Sequence, residues 1–171
     1  MATTVYVDGT LATGSNNGTS WTDAYKGCAG LQTAFDNVVN LSETTIYIRN
    51  TFSVGTYGTR IDIDTAGGDY TNSKWLKVIG CGSDGNPLPY GQYVVLDGQN
   101  ILTNHIFYLS NVSMVELRNL HFKNVPWAGW YLYATSTRYG FNAINCKFSA
   151  LGYGFQIDTL SPRNVFVHQC I

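Results

Sequence analysis

Val115-Glu116-Leu117-Arg118-Asn119-Leu120-His121-Phe122 is followed 26 residues later by Phe141-Asn142-Ala143-Ile144-Asn145-Cys146-Lys147-Phe148. A further 24 residues on stands Val165-Phe166-Val167-His168-Gln169-Cys170. Apolar residues recur at Val115/Phe141/Val165, at Leu117/Ala143/Val167 and at Leu120/Cys146/Cys170, while Asn119, Asn145 and Gln169 share one place among them. A short strand-like segment precedes each copy, at Ile106–Leu109, Trp130–Tyr133 and Gly154–Ile157. A fixed period of this size marks a repeating architecture. With two or three short strands per period, it fits one turn of a β-solenoid, whose turns stack about 4.8 Å apart so that equivalent side chains form columns.

Stacking explains the amides. An inward Asn or Gln in a column satisfies backbone groups at a tight turn and bonds to the amide of the next turn. The same stacking puts Cys146 over Cys170. A disulfide within such a column needs distorted geometry, so stacked free thiols are expected. None of Cys28, Cys81, Cys146 and Cys170 lies in a C-x-x-C pair. That spacing speaks against a zinc ribbon or thioredoxin-type site and for small buried hydrophobes.

Outward from the repeat, the chain after about residue 43 reads as short strands between Gly, Asn and Asp: Thr45–Arg49, Arg60–Asp64, Leu76–Ile79, Tyr93–Leu96, Ile106–Leu109, Met114–Leu117, Tyr131–Tyr133, Gly140–Ala143, Phe155–Ile157 and Val165–Val167. Several alternate apolar and polar residues, as Ile61-Asp62-Ile63-Asp64 does. A further strand at Val5–Asp8 precedes a Gly/Asn/Ser-rich loop. One helix is predicted. Ser20 and Asp23 form a capping-box pattern, and Trp21, Ala24, Cys28, Leu31, Phe35 and Val38 make one apolar stripe over about five turns. Laid across an open solenoid end, it would cover exposed core and strand edges. The sequence stops at Ile171 part way through a repeat, so the expectation is a single domain over 1–171, with strand, loop and cap helix in 1–43 and repeats in 44–171, either the front part of a longer protein or one whose open end another chain closes.

Tyr6-Val7-Asp8, the loop Gly9–Asn17, Gly18-Thr19-Ser20-Trp21, Ala24-Tyr25 and Leu31-Gln32-Thr33-Ala34 carry a family likeness, as do Leu76–Gly82 and Val95-Leu96-Asp97-Gly98. On these, essentially the whole chain resembles the right-handed parallel β-helix proteins of the pectate-lyase-like superfamily, most of all bacterial and phage members. The resemblance implies an all-β fold: a right-handed parallel β-helix, or β-solenoid, with one N-terminal amphipathic capping helix. That superfamily holds polysaccharide lyases, glycoside hydrolases, phage tailspikes and members of unassigned role, so fold does not decide function.

Composition narrows the classes. Ten Lys and Arg against eleven Asp and Glu give a net charge of -1 and a pI near 6.2, without the basic stripe of a nucleic-acid binder. With 44% hydrophobic residues the chain is not disordered, and no apolar run reaches the roughly 18 residues of a membrane span. Met1-Ala2-Thr3-Thr4 lacks the basic and apolar stretches of a signal peptide. That leaves a cytosolic chain, export by another route, a phage-borne protein or one trimmed of its leader, and an extracellular or virion-associated setting is the expectation.

The candidate catalytic pair is Asp62 and Asp64. If Ile61 and Ile63 point inward, both carboxylates face outward about 6.6 Å apart, near the separation of an inverting glycosidase pair. Two outward acids on an alternating strand are also an ordinary solvated face, and no third group supports them. In glycosidases of the resembled superfamily the catalytic acids usually come from later, central coils. Its lyases set an acidic calcium site beside a basic residue, yet Asp158, Arg163, His121, Lys147, Arg118 and His168 form no tight acidic cluster with arginine. His105, His121 and His168 lack metal-ligand spacing. The runs Asp62–Asp69 and Asp84-Gly85-Asn86 do not match a twelve-residue calcium loop, so no cofactor is expected and calcium is unsupported. Asn17-Gly18-Thr19, Asn40-Leu41-Ser42 and Asn111-Val112-Ser113 match the glycosylation triplet, which counts only in a eukaryotic secretory setting.

Trp127, Trp130, Tyr131, Tyr133, Tyr139 and Tyr153 crowd one repeat. Pro126-Trp127-Ala128-Gly129-Trp130 reads as a loop between repeats, where aromatic faces can stack on sugar rings, and Trp127, Trp130, Tyr131 and Tyr133 are the candidate ligand-binding residues. Core packing is the competing role, chiefly for Trp130. The reading is a carbohydrate-contacting module, the N-terminal part of a larger polysaccharide-interacting or tailspike-like protein, without a complete active site of its own. Its alternatives are a polysaccharide lyase or glycoside hydrolase, and a purely structural virion or self-assembling solenoid, as a homotrimer or end to end. No nucleic-acid or membrane partner is expected.

Overall fold

Asn119, Asn145 and Gln169 all adopt left-handed backbone, with φ of 59°, 48° and 54°. Asn enters that region at less cost than most residues because its short side chain bonds locally. Asn119 and Asn145 each mark a corner where the chain leaves one sheet for the other, and Gln169 stands at the equivalent place just past the end of β13. The computed structural model describes residues 2–39, 42–64, 68–134, 138–159 and 162–171. Asn40 and Leu41 of the second glycosylation triplet, and residues 65–67 of the Asp62–Asp69 run, lie outside the described residues.

Strands β1 (Thr3–Asp8) and β2 (Tyr25–Lys26) precede helix α1 (Gly27–Asp36). Next come β3 (Thr44–Arg49), β4 (Phe52–Ser53), the one-turn helix α2 (Val54–Tyr57), β5 (Ile61–Ile63), β6 (Leu76–Cys81) and β7 (Val94–Asp97). The chain continues through β8 (Phe107–Ser110), β9 (Val115–Arg118), β10 (Leu120–Ala134), β11 (Arg138–Ile144), β12 (Lys147–Thr159) and β13 (Pro162–His168). Every pairing between these strands is parallel. One sheet has seven strands in the order β13-β11-β9-β6-β3-β1-β2. The other has six, β4-β7-β10-β8-β5 with β12 on β10.

The register turns the sequence period into columns. Leu76, Val115, Phe141 and Val165 are successive partners, as are Val78, Leu117, Ala143 and Val167. In the second sheet Phe52, Leu96, Phe122 and Phe148 form one column, and Ile61, Phe107, Trp130 and Phe155 another. The Phe122 and Phe148 rings stack 5.5 Å apart. Up to β11 and the inner part of β10 these columns are the core; at the last strands Phe148 and Val165 are half-buried and Phe155 and Val167 exposed.

The expected all-β right-handed parallel β-helix with a single capping helix is corrected here. The parallel strands lie in two sheets that form a half-barrel, and among the described residues helix occurs in two separate pieces. The repeat fixed which strands pair. It carried no information on how far the sheets curve towards closure.

The helix is corrected too. Instead of five turns from Trp21, α1 has ten residues. Ser20 does accept from the Asp23 amide at 3.1 Å, but this closes a turn, after which Tyr25 and Lys26 pair with Val7 and Asp8. Gly27, at φ 60°, then bends the chain into the first turn of α1. Cys28, Leu31, Ala34 and Phe35 form the buried face, which lies against the leading strands β1, β4 and β5. Trp21 packs instead on Tyr6 and beneath the Arg49 guanidinium.

The corner amides bond as a column. Asn145 Nδ2 donates to Asn119 Oδ1 at 2.8 Å, and Asn119 Nδ2 donates to the carbonyls of Leu88 and Gly80. The Gly91 amide donates to Asn145 Oδ1, so both residues also pin the loop before β7. All four cysteines are free thiols, and the Cys146 amide donates to Cys170 Sγ.

Asn119→Ala strips the Asn145 amide of its acceptor, leaves the Leu88 carbonyl short of a donor, and holds a Cβ at positive φ. It is expected to cost about 3 kcal/mol in urea unfolding, and Asn119→Gly about 1 kcal/mol less. An Asn119→Ala protein as stable as the parent would show that the corner does not hold the register.

Candidate functional site

β5, β8, β10 and β12 lie side by side, and alternation along each strand sends one set of side chains inward and the next outward. The outward set is Asp62, Tyr108, Tyr131 and Gln156 in one column, with Ser110, Tyr133 and Asp158 in the next. Three strand steps make this strip about 14 Å wide.

Aromatic contacts tie it together. Tyr108 lies 5.5 Å from Tyr131 and 6.4 Å from Tyr133, centroid to centroid. His105 stacks on Tyr131 at 4.4 Å and meets Trp127 edge-on at 5.9 Å. The Arg60 guanidinium sits 3.6 Å above the Tyr108 ring while its Nε donates to Asp62 Oδ1 at 2.6 Å. At the far end, the Tyr131 hydroxyl donates to Asp158 Oδ2 at 3.1 Å. The strip is thus a row of rings with an ion pair at one edge and a carboxylate at the other.

Burial tunes two of these groups. Desolvation, with Arg60 nearby, lowers the His105 imidazole to a pKa of about 4, so it is neutral in ordinary buffers. Its Nδ1 is buried without a hydrogen-bond partner. Burial and the Asp158 carboxylate push the Tyr131 phenol up to about 12.

The four aromatic candidates divide. Trp127 is 51% exposed and Tyr133 36%, and Tyr131 is half-buried between Tyr108 and His105. Trp130 is corrected to a core residue: it is 2% exposed and its indole stacks on Phe155, because it occupies the inward phase of β10. Tyr139 stacks on Tyr70 elsewhere, and Tyr153 is exposed on β12. Arg60, His105 and Tyr108 escaped sequence reading, though the alternation of β8 with β10 carried the signal for Tyr108.

Asp62 and Asp64 do not converge on a common partner. Asp62 is held by Arg60, and its backbone is fixed by two hydrogen bonds to the Gln32 side chain of α1. Asp64 is exposed past the end of β5. The other polar candidates are dispersed: His121 bonds Ser149, Arg118 pairs with Glu116, and Arg163 is exposed on β13. Among the described residues, no group of three or more His, Cys, Asp or Glu is placed to hold a metal. No helix there is long and apolar enough to cross a membrane.

Asp8 and Asp97 have structural roles. Burial tends to raise the Asp8 carboxyl, but bonds from Asn50, the Thr10 amide and Arg49 hold it below its ordinary value. Asp97 is likewise lowered, despite burial, by Asn124, the Gln99 amide and Lys123. Both fasten strand ends. No family of proteins, no curated protein and no solved structure matches the chain.

Two outcomes test this placement. Trp130→Ala should destabilise the fold by about 3–5 kcal/mol, whereas Trp127→Ala should stay within about 1 kcal/mol in the same urea series. His105 binds a proton more weakly when folded, so its contribution is complete above pH 6.5 and is lost as pH falls towards about 4. That loss is on the order of 3 kcal/mol, and His105→Phe should flatten the stability profile between those limits. An unchanged profile in that variant would mean the imidazole titrates normally.

Proposed function

We propose that the chain is a carbohydrate-contacting module whose binding face is the outward strip of Tyr108, Tyr131, Tyr133 and Trp127. The observation that carries the reading is the row of neighbouring aromatic rings on a rigid parallel sheet, partly open to solvent and flanked by Arg60, Asp62 and Asp158. Sugar rings present apolar C–H faces and hydroxyl edges. Aromatic faces suit the first, and a few convergent polar groups suit the second.

Recognition fits these residues better than cleavage. Inverting hydrolysis needs two facing carboxyls with room for water between them. Here Asp62 is bound to Arg60, Asp64 stands beyond the strand end, and Asp158 takes the Tyr131 hydroxyl. The module therefore holds glycan without cutting it.

Glycan-array binding supplies the test. Trp127→Ala and Tyr131→Ala should each weaken binding by roughly tenfold, the scale of one lost aromatic contact with its buried area. Binding unaffected by both substitutions removes this face from recognition. Release of unsaturated or reducing products from polysaccharide would replace the reading with an enzymatic one.

A further inference from the structure

The seven-stranded sheet carries a second outward feature. Lys77 of β6, Glu116 of β9 and Asn142 of β11 are register partners, so they stand in a row about 4.8 Å apart. Arg118 follows two residues along β9. With Trp75 and Ile79 these side chains line a groove of about 370 Å³, within the size range of small-molecule sites. The Trp75 ring reaches across to β11, where a Cβ at Gly140 would come within 3.1 Å of it. Gly140 leaves the room that lets the indole form that wall.

The polar groups in the groove are incompletely used. Glu116 is only 8% exposed, an unusual position for a carboxylate, and accepts one hydrogen bond, from an Arg118 terminal nitrogen at 2.8 Å. A carboxylate offers about four acceptor positions, so most of its capacity is free. Among the described residues, Lys77 Nζ is paired only with the Glu43 carboxylate, at 3.7 Å. Asn142 Oδ1 and Arg118 Nε are buried without partners. Those two atoms present almost no surface, so what a ligand in the groove can pair with is the Lys77 ammonium, the Arg118 terminal nitrogens and the spare acceptor capacity of Glu116.

The donor and acceptor order identifies that ligand. Lys77 and the Arg118 terminal nitrogens donate; Glu116 accepts. An anion would meet the buried Glu116 carboxylate, and a cation would meet Lys77 and Arg118. A hydroxyl both donates and accepts through one oxygen, and two on adjacent carbons serve neighbouring members of the row. We propose that this groove binds a neutral sugar, its vicinal hydroxyls on Lys77, Glu116 and Arg118 and its apolar face on Trp75. The site lies on the other sheet from the aromatic strip and stands independently of it.

The test is a nuclear magnetic resonance titration of the full ¹⁵N-labelled chain with D-glucose, D-galactose, D-mannose and L-rhamnose into the tens of millimolar. At least one should give saturable shifts at the Trp75 indole N–H and the Asn142 side-chain amide. Glu116→Gln should weaken that binding roughly tenfold or more, as expected for a lost hydrogen bond to a charged group. Should Glu116→Gln fail to fold, Lys77→Met is read in the same way. Tyr131→Ala should leave these shifts intact, which separates this site from the aromatic strip. The proposal falls if no sugar moves the two signals, if the folded variant binds as tightly as the parent, or if sodium phosphate or glycine saturates the groove as readily as the sugar.

Discussion

The left-handed corner at Asn119 and Asn145 is the constraint on which the rest of the structure depends. A strand's side chains alternate with a period of two, so a slip of one residue would send every core residue of β9 or β11 to the solvent. The corner fixes where each strand ends, and the 2.8 Å bond from Asn145 to Asn119 locks one corner to the next. With the register fixed, Phe141 falls between Val115 and Val165, and Ala143 between Leu117 and Val167. The aromatic and polar faces are outward consequences of the same register.

Much of this was legible because the repeat samples each environment more than once. Val115, Phe141 and Val165 are chemically similar because they occupy one column, and the amides are similar because they occupy one corner. Curvature is different. Whether parallel sheets close depends on corner angles and on loops such as residues 82–93, which no period encodes. A half-barrel and a closed solenoid share the same pairing pattern along most strands. The helix shows a related conflict: the apolar stripe from Trp21 to Val38 has helical spacing, yet pairing of Tyr25 with Val7 and the bend at Gly27 divide it. Tertiary context overrides local propensity there. Of β10 only Tyr131–Tyr133 reads as a strand, and Pro126–Trp130 as a loop; instead the strand runs unbroken from Leu120 to Ala134, with its register against β12 shifting between Val125 and Ala128.

The aromatic strip was half visible. Alternation separates Trp130 and Leu132 from Tyr131 and Tyr133, and the structure keeps that separation. Arg60 and His105 were invisible for a physical reason: they reach the strip from positions just before β5 and β8, and only folding brings them beside Tyr108 and Tyr131. Neither belongs to a motif of fixed spacing. The polar row of the other sheet was half visible too: the repeat sets Glu116 against Asn142, but Lys77 lies outside the repeat and joins them only through the pairing of β6 with β9.

The unusual composition follows from the same stacking. In parallel sheets every outward residue stands about 4.8 Å from its partners on the neighbouring strands, and like charges at that spacing repel. Among the described strand pairs, charged residues face opposite charges or neutral groups: Asp8 meets Arg49, Lys77 meets Glu116, Asp97 meets Lys123, and Tyr133 meets Asp158. His121 stands beside Lys147, and burial, reinforced by Lys147 and Lys123, lowers its pKa and favours the neutral form. A stacked architecture therefore limits how many charges its outer columns can hold. Twelve tyrosines and only 12% charged residues answer that limit, because rings and hydroxyls stack without repulsion. What covers the sheets in place of charge is also the chemistry that meets a sugar: flat apolar faces, with hydroxyls and amides between them.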